Sequence, residues 1–246
     1  MRHSQILVVS GALLAAACAP GGSPGSTSDS ATVAMSQTRS GGWERLFDGT
    51  SLSGWRGFRR PDVPGSWSIQ DGTLAFRPST DRAQRGDIVS REQYGDFELE
   101  LEWKISEGGN SGIIYRATED EPQPWRTGPE MQVLDDARHS DGKIPSHRAG
   151  ALYDLVVPPE GVTRPVGEWN QARLVVRGNR IQQWLNGTLT ADVEIGSDDW
   201  NRRMAQSKFR EMPAFATKRA GHIVLQDHGD PVWYRNIRVR RLDTGR

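Results

Sequence analysis

The stretch Phe97 to Ile105 (FELELEWKI) alternates without a break: Phe97, Leu99, Leu101, Trp103 and Ile105 are apolar, while Glu98, Glu100, Glu102 and Lys104 are charged. A period of two puts one row in a core and the other in water, the pattern of a strand covered on one face. Ala172-Leu174-Val176 and Ile181-Gln183-Leu185 repeat it, with Gly178-Asn179 between them and Asn186-Gly187 after them as hairpin turns. Trp67-Ser68-Ile69 and Gly72 to Phe76 flank a further turn at Gln70-Asp71, and His222 to Gln226 and Val232 to Leu242 read as two late strands. Helical periodicity is scarce. It is best over Asp198 to Glu211, with Trp200, Met204 and Phe209 facing inward and Pro213 as the stop. Many short strands with closely spaced turns predict an all-β antiparallel sandwich or jelly roll with one short helix. Such a fold offers a concave sheet face with loops at its rim as a ligand site.

The break after Ile105 stands out, because GGNSGIIYR (Gly108 to Arg116) spends more residues than a hairpin turn needs. If Ile113 and Tyr115 face one side, then Ile114 and Arg116 face the other. Gly109-Asn110-Ser111-Gly112 would then form a rim where a ligand meets backbone, with Asn110 free to donate and accept.

The same alternation applied to Glu130-Met131-Gln132-Val133-Leu134-Asp135 puts Glu130 and Gln132 on one face of a central-looking strand. Met131 and Val133 are then buried, and Asp135 falls on the opposite side unless a bulge rotates it. The spacing E-x-Q-x-x-D is a poor version of a two-carboxylate glycosidase strand. In GHIVLQDHG (Gly221 to Gly229), Ile223 and Leu225 face the core, and Val224, Gln226 and His228 share the other face. A histidine at a strand end is suited to acid–base work near neutrality. Tyr153, in HRAGALYD, is either a sugar contact or core. Asp135, His139, His147 and His228 carry no metal-ligand spacing, so no metal or other cofactor is expected from them.

Composition narrows the function. The chain has 246 residues with 31 basic and 31 acidic side chains. This balance leaves no basic footprint for nucleic acid and no polybasic membrane patch. Nine tryptophans against six phenylalanines point weakly to carbohydrate stacking.

The N-terminus reads as a leader rather than fold. A basic start, Met1-Arg2-His3, precedes the apolar run Ile6 to Ala17 and then Cys18, the one cysteine. Ala15-Ala16-Ala17-Cys18 resembles a lipobox, with Ala15 where leucine is usual. Residues 1–18 are therefore expected to be a lipoprotein-type signal peptide ending in a lipidated Cys18. Residues 19–40, rich in Gly, Ser and Pro, form a flexible linker, and residues 41–246 are one β domain. The expected location is outside the cytoplasm, anchored by lipid alone and facing the periplasm or the outer surface.

FDGTSLSGW, WSIQDGTL, FELELEWKISEGGNSGIIYR, GPEMQVLDD, GALYD, EWNQARLVVRGNRIQQWLNG, SKFREMPAF and GHIVLQDHGDPVWYRNIRVR run in order from Trp43 to Leu242. Together they resemble the 3-keto-disaccharide hydrolase family, also described as a 3-keto-glucoside 1,2-lyase/3-keto-2-hydroxyglucal hydratase domain. The resemblance implies a concanavalin A-like lectin/glucanase sandwich that acts on 3-keto glycosides. A ketone at C3 acidifies the C2 hydrogen, so a base, a donor for the enolate oxygen and an acid for the leaving group suffice. On that chemistry His228 is the expected acid/base with Glu130 its rival. Arg116, Gln132 and Gln226 contact sugar oxygens or the enolate, and Lys208, Tyr153, Asn110 and Asp135 complete the binding set. Two other functions compete: a non-catalytic carbohydrate-binding module, and an ordinary glycosidase using Glu130 and Asp135.

Overall fold

A computed structural model describes residues 42–243 of the chain; the expected signal peptide, Cys18 and linker lie outside the described residues. The described strands, in chain order, are β1 (Glu44–Arg45), β2 (Trp55–Gly57), β3 (Trp67–Gln70), β4 (Thr73–Phe76), β5 (Ile88–Ser90), β6 (Phe97–Ile105), β7 (Asn110–Ala117), β8 (Glu130–Leu134), β9 (Asn170–Arg177), β10 (Arg180–Leu185), β11 (Thr188–Glu194), β12 (His222–Leu225) and β13 (Val232–Arg241). One α-helix, α1 (Asp198–Gln206), precedes β12.

The strands form two antiparallel sheets. The larger has the order β11-β10-β9-β6-β13-β4-β3, with β1 on β13; the smaller has the order β2-β5-β12-β7-β8. The alternation in β6 places itself as the pattern predicts. Phe97, Leu99, Leu101, Trp103 and Ile105 join Ile113, Tyr115, Met131, Val133, Ile223 and Leu225 of the small sheet in one core between the sheets. The charged row of β6 lies on the outer face of the large sheet. There Glu98 takes Arg173 and Arg240, Glu100 takes Arg238 and Glu102 takes Arg235. Asn186 and Gly187 both adopt positive φ (50° and 83°), the left-handed pair that closes a tight hairpin between β10 and β11.

The tryptophans sort by this architecture. Trp55, Trp67, Trp103 and Trp200 are buried core. Trp43, Trp169, Trp184 and Trp233 each lie under a cationic side chain from the large sheet's outer face or its edge. Their abundance therefore reflects core packing and cation–π cover on the scaffold sheet, and only Trp125 remains beside the candidate site.

The helix is shorter than its periodicity suggests. Ser197 caps the start, its hydroxyl accepting the Trp200 N–H at 3.1 Å, and the helix stops at Ser207. The Ser207 hydroxyl donates to Met204 O and accepts the Phe209 N–H, so one side chain closes α1 and opens the 3-10 turn Lys208–Glu211. Asp154 accepts the Lys208 N–H at 2.8 Å and fixes where that turn sits.

Candidate active site

The second face of the small sheet carries its own apolar patch, Val89, Ile114, Ala117 and Val224, roofed by Phe58 and Trp125. The rows that flank the patch are polar. On β7, Asn110 and Gly112 precede Ile114, and across the ladder Ile114 pairs with Glu130 and Gly112 with Gln132. Glu130 and Gln132 therefore do share a face away from the core. Their strand, however, is the outermost of the small sheet rather than a central one. It looks central in sequence because both of its faces are covered and a loop occupies its free edge. Gln132 N–H donates to Ala151 O, Gly150 N–H to Gln132 O and Tyr153 N–H to Glu130 O.

Glu130 is the focus of the site. The residue is 5% exposed, and its carboxyl has no hydrogen-bond partner among the described residues. A Cβ at position 112 would overlap the Glu130 Oε1, so the carboxyl rests on bare backbone that only glycine provides. Burial pushes this carboxyl up to about 8; the Lys208 ammonium works against that rise, and Asp87 and Asp141 add to it.

Lys208 lies over the Tyr153 ring at 4.3 Å and the Trp125 ring at 4.9 Å. Enclosure by these rings holds its ammonium below its ordinary value despite the pull of Glu130, Asp154 and Asp141. Tyr153 stacks on His147 with ring centroids 4.3 Å apart, and its hydroxyl lies 3.3 Å from His147 Nδ1 and 3.4 Å from Asp141 Oδ2. Burial raises the pKa of the Tyr153 hydroxyl, so it is a donor at neutral pH.

Other expected residues meet this center to differing degrees. Gln132 is 1% exposed and turns its Oε1 back to its own strand, where it accepts the Val133 N–H. Gln226 continues β12 beside Gly112, its N–H donating to Gly112 O, and its Oε1 is buried without a partner. Asn110 stands in the same row as Gly112, with its Oδ1 likewise buried and unpartnered. Here the glycine-rich break is shorter than the sequence suggests. Gly108 (φ 65°) makes the turn, while Asn110, Ser111 and Gly112 already belong to β7. Gly112 admits the Glu130 carboxyl rather than an incoming sugar.

Two expected residues are placed elsewhere. Arg116 does not share the face of Glu130. Between the outer-face pairs Ile114–Val224 and Ala117–His222, β7 spends two residues where β12 spends one, a bulge in which Arg116 takes a left-handed φ of 51°. That conformation swings the guanidinium away from the face, to Gly95 O, Gly178 O and Asp96, with the side chain 3% exposed. Asp135 is also committed: Oδ2 accepts the Gly108 N–H and Oδ1 the Ala137 N–H, which ties the β6–β7 turn to the segment that follows β8.

His228 is exposed and lies edge-on to His139, with ring centroids 5.9 Å apart. Desolvation holds its imidazole below the ordinary value, against the pull of Asp230. Sequence reasoning missed Asp87, which is just ahead of β5. Its carboxyl accepts the Asp227 N–H at 2.8 Å, and burial pushes it up to about 7. The second aspartate of the loop DRAQRGD carries no sequence signal for this.

A surface cleft of about 790 Å³ lies on the far side of the sandwich. Its charged walls are already satisfied, Glu100 by Arg238 and Glu102 by Arg235. The unpartnered, pKa-shifted groups that mark a reactive site lie instead on the small sheet.

Residues 42–240 match the 3-keto-alpha-glucoside-1,2-lyase-like domain. The chain is 35% identical over 229 residues to the 3-keto-disaccharide hydrolase of Bacteroides thetaiotaomicron, covering 82% of this chain and 79% of that protein. Solved structures of two Parabacteroides distasonis proteins classed with the glycosyl hydrolases are also similar. One has a TM-score of 0.74 and 32% identity, covering 82% of this chain and 94% of the other. The second has a TM-score of 0.61 and 28% identity, covering 82% of this chain and all of the other, 100%. With its two-sheet sandwich and a match spanning nearly all the described residues, the chain belongs to the 3-keto-alpha-glucoside-1,2-lyase-like family.

Proposed function

We propose that this protein cleaves glycosides whose C3 carbon is already a ketone, by elimination followed by hydration. Glu130 takes the C2 proton. The C2–H electron pair becomes the C1=C2 double bond, and the C1–O pair leaves with the aglycone oxygen, which takes up a proton. Water then adds its hydroxyl to C1 and its hydrogen to C2, so the net change is hydrolysis with no redox step. Family membership supports the substrate class. The observation that carries the residue assignment is the Glu130 carboxyl itself: enclosed, free of hydrogen bonds among the described residues, and pushed up to about 8. A base for a carbon acid works best with a pKa near working pH, and a buried carboxylate is a stronger base than a solvated one.

Lys208 stabilises the carboxylate form of Glu130 and the charge that develops as C2 loses its proton. Tyr153, on the same wall, supplies an O–H for the departing oxygen. Glu130 is preferred to His228 as the base because the histidine is open to solvent while the carboxyl is not. An ordinary glycosidase built on Glu130 and Asp135 is disfavoured, since both Asp135 oxygens already accept backbone N–H groups. The proposal includes export and lipid anchoring through Cys18, testable by loss of membrane-fraction protein in Cys18→Ser.

The deciding experiment offers the purified protein a 3-keto glucoside and the matching unoxidised glucoside, in separate reactions in D₂O. Release of aglycone from the keto compound alone, with deuterium at C2 of the product, is the expected result. Cleavage of the unoxidised sugar, or keto-sugar cleavage without C2 exchange, would sink the reading.

A further inference from the structure

His139, His228 and Asp230 come from two loops that the sequence keeps far apart, yet one ring nitrogen of each histidine and a carboxylate oxygen of Asp230 all lie within 4.8 Å of one another. We infer that these three side chains form a binding site for a single divalent transition-metal ion. Three ligands at that spacing need only a small inward movement to meet a common ion at the usual two-ångström bond lengths. Two imidazoles with one carboxylate favour Mn²⁺, Co²⁺ or Zn²⁺ over the oxygen-seeking Ca²⁺ and Mg²⁺.

The supporting shell is already built. Asp230 Oδ2 accepts the Asn110 N–H at 3.1 Å, which orients the carboxylate from the first residue of β7. The neighbouring Asp227 is excluded as a ligand by Arg85, Gly86 and Gly229, which occupy both its oxygens. His139 Nδ1 accepts the Asp141 N–H at 3.1 Å. A cation on this ring competes with that bond. On Nδ1 it displaces the amide; on Nε2 it moves the ring proton to Nδ1, which then can no longer accept. Either way, metal binding releases the Asp141 amide.

The position suits the chemistry proposed above, and the assignment of a role rests on that reading. Asn110, which holds Asp230, is two residues along β7 from Gly112, the seat of Glu130, a distance of roughly 7 Å at strand spacing. A cation there can bind the C3 ketone oxygen while Glu130 works at C2, polarising the carbonyl as a Lewis acid.

The test has two parts. The full chain is stripped with chelator and titrated with Co²⁺, Mn²⁺ and Zn²⁺, following Co²⁺ d–d absorption and metal content after gel filtration. One equivalent is expected, falling at least tenfold in affinity in each of His139→Gln, His228→Gln and Asp230→Asn, with their circular dichroism unchanged. Hydrogen exchange at the Asp141 amide is expected to speed up on loading. Less than a fifth of an equivalent, or binding that survives all three substitutions, would overturn the site. Glu130→Gln separates this inference from the functional reading: it is expected to keep the metal and lose turnover. Failure of the keto-sugar assay with metal binding intact would leave the site standing and its catalytic role refuted.

Discussion

The Glu130 carboxyl rests on the backbone of Gly112, where a Cβ would overlap its Oε1. An alanine at 112 has no clash to resolve except by moving that carboxyl or parting β7 from β8. Gly112→Ala should therefore cost about 1–3 kcal/mol of stability, the usual range for overpacking, and lower kcat at least tenfold. Wild-type turnover in a folded Gly112→Ala protein would show that the seat does not constrain the carboxyl.

Glu130→Gln keeps the shape and removes the proposed base. Turnover of a 3-keto glucoside should drop by about 10²–10⁴. Stability should move in a particular direction with pH. The Glu130 carboxyl sits at about 8 when folded, above its unfolded value, and Asp87 is also raised, to about 7. In the window between the unfolded value and about 8, the folded state holds a proton that the unfolded state has released, so stability falls as pH rises. Thermal melts of Glu130→Gln should fall less steeply than wild type from pH 5 to pH 8. Parallel curves would mean that the buried carboxyl is not protonated in the native protein.

Lys208 is the cation that opposes the rise at Glu130, with Asp87 and Asp141 acting the other way. Replacing it with methionine keeps a long apolar stem against Tyr153 and Trp125 and deletes the charge. The carboxylate form then loses support, so the acid limb of the kcat/KM profile should move to higher pH, and activity at pH 7 should drop severalfold. A profile shifted to lower pH, or not at all, would remove Lys208 from the electrostatics of the base.

Arg116 ties the small sheet to the β5–β6 connection and the β9–β10 turn through Gly95 O, Gly178 O and Asp96. Truncation would take a donor from two carbonyls and leave the Asp96 carboxylate with the Gly178 N–H but no countercharge from Arg116, so Arg116→Ala should destabilise by about 3–5 kcal/mol. KM of the folded fraction should stay near wild type. A large KM effect at unchanged melting temperature would return Arg116 to the substrate.

Legibility in the sequence followed from how each feature is built. The strand β6 was readable because one of its faces is buried and the other carries the Glu–Arg ladder, so its two rows differ in chemistry. The short strands β2 and β5 were not: three residues each cannot display a period. Arg116 leaves the face that a period-two count gives it because such a count does not survive a bulge, and nothing in Ile113-Ile114-Tyr115-Arg116 announces a left-handed residue. The shared face of Glu130 and Gln132 was legible. Lys208 and Tyr153 are expected beside it only through the family resemblance, and Asp87 not at all, since the three arrive from separate loops that no local pattern joins. The grouping of His139 with Asp230 was hidden for the same reason, as ligand spacing in sequence reports only sites built from one local segment.

The strand that carries Glu130 has a loop, not another strand, along its open edge, joined by the backbone bonds of Gly150, Gln132 and Tyr153. Loops change length and composition at little entropic cost and with little effect on a sheet behind them. On the proposed mechanism, the 149–156 segment can therefore vary at every position but Tyr153, and with it the surface beside the leaving group, while Glu130 keeps its glycine seat. The preference for an aglycone can then drift quickly while the proposed bond-breaking groups stay put.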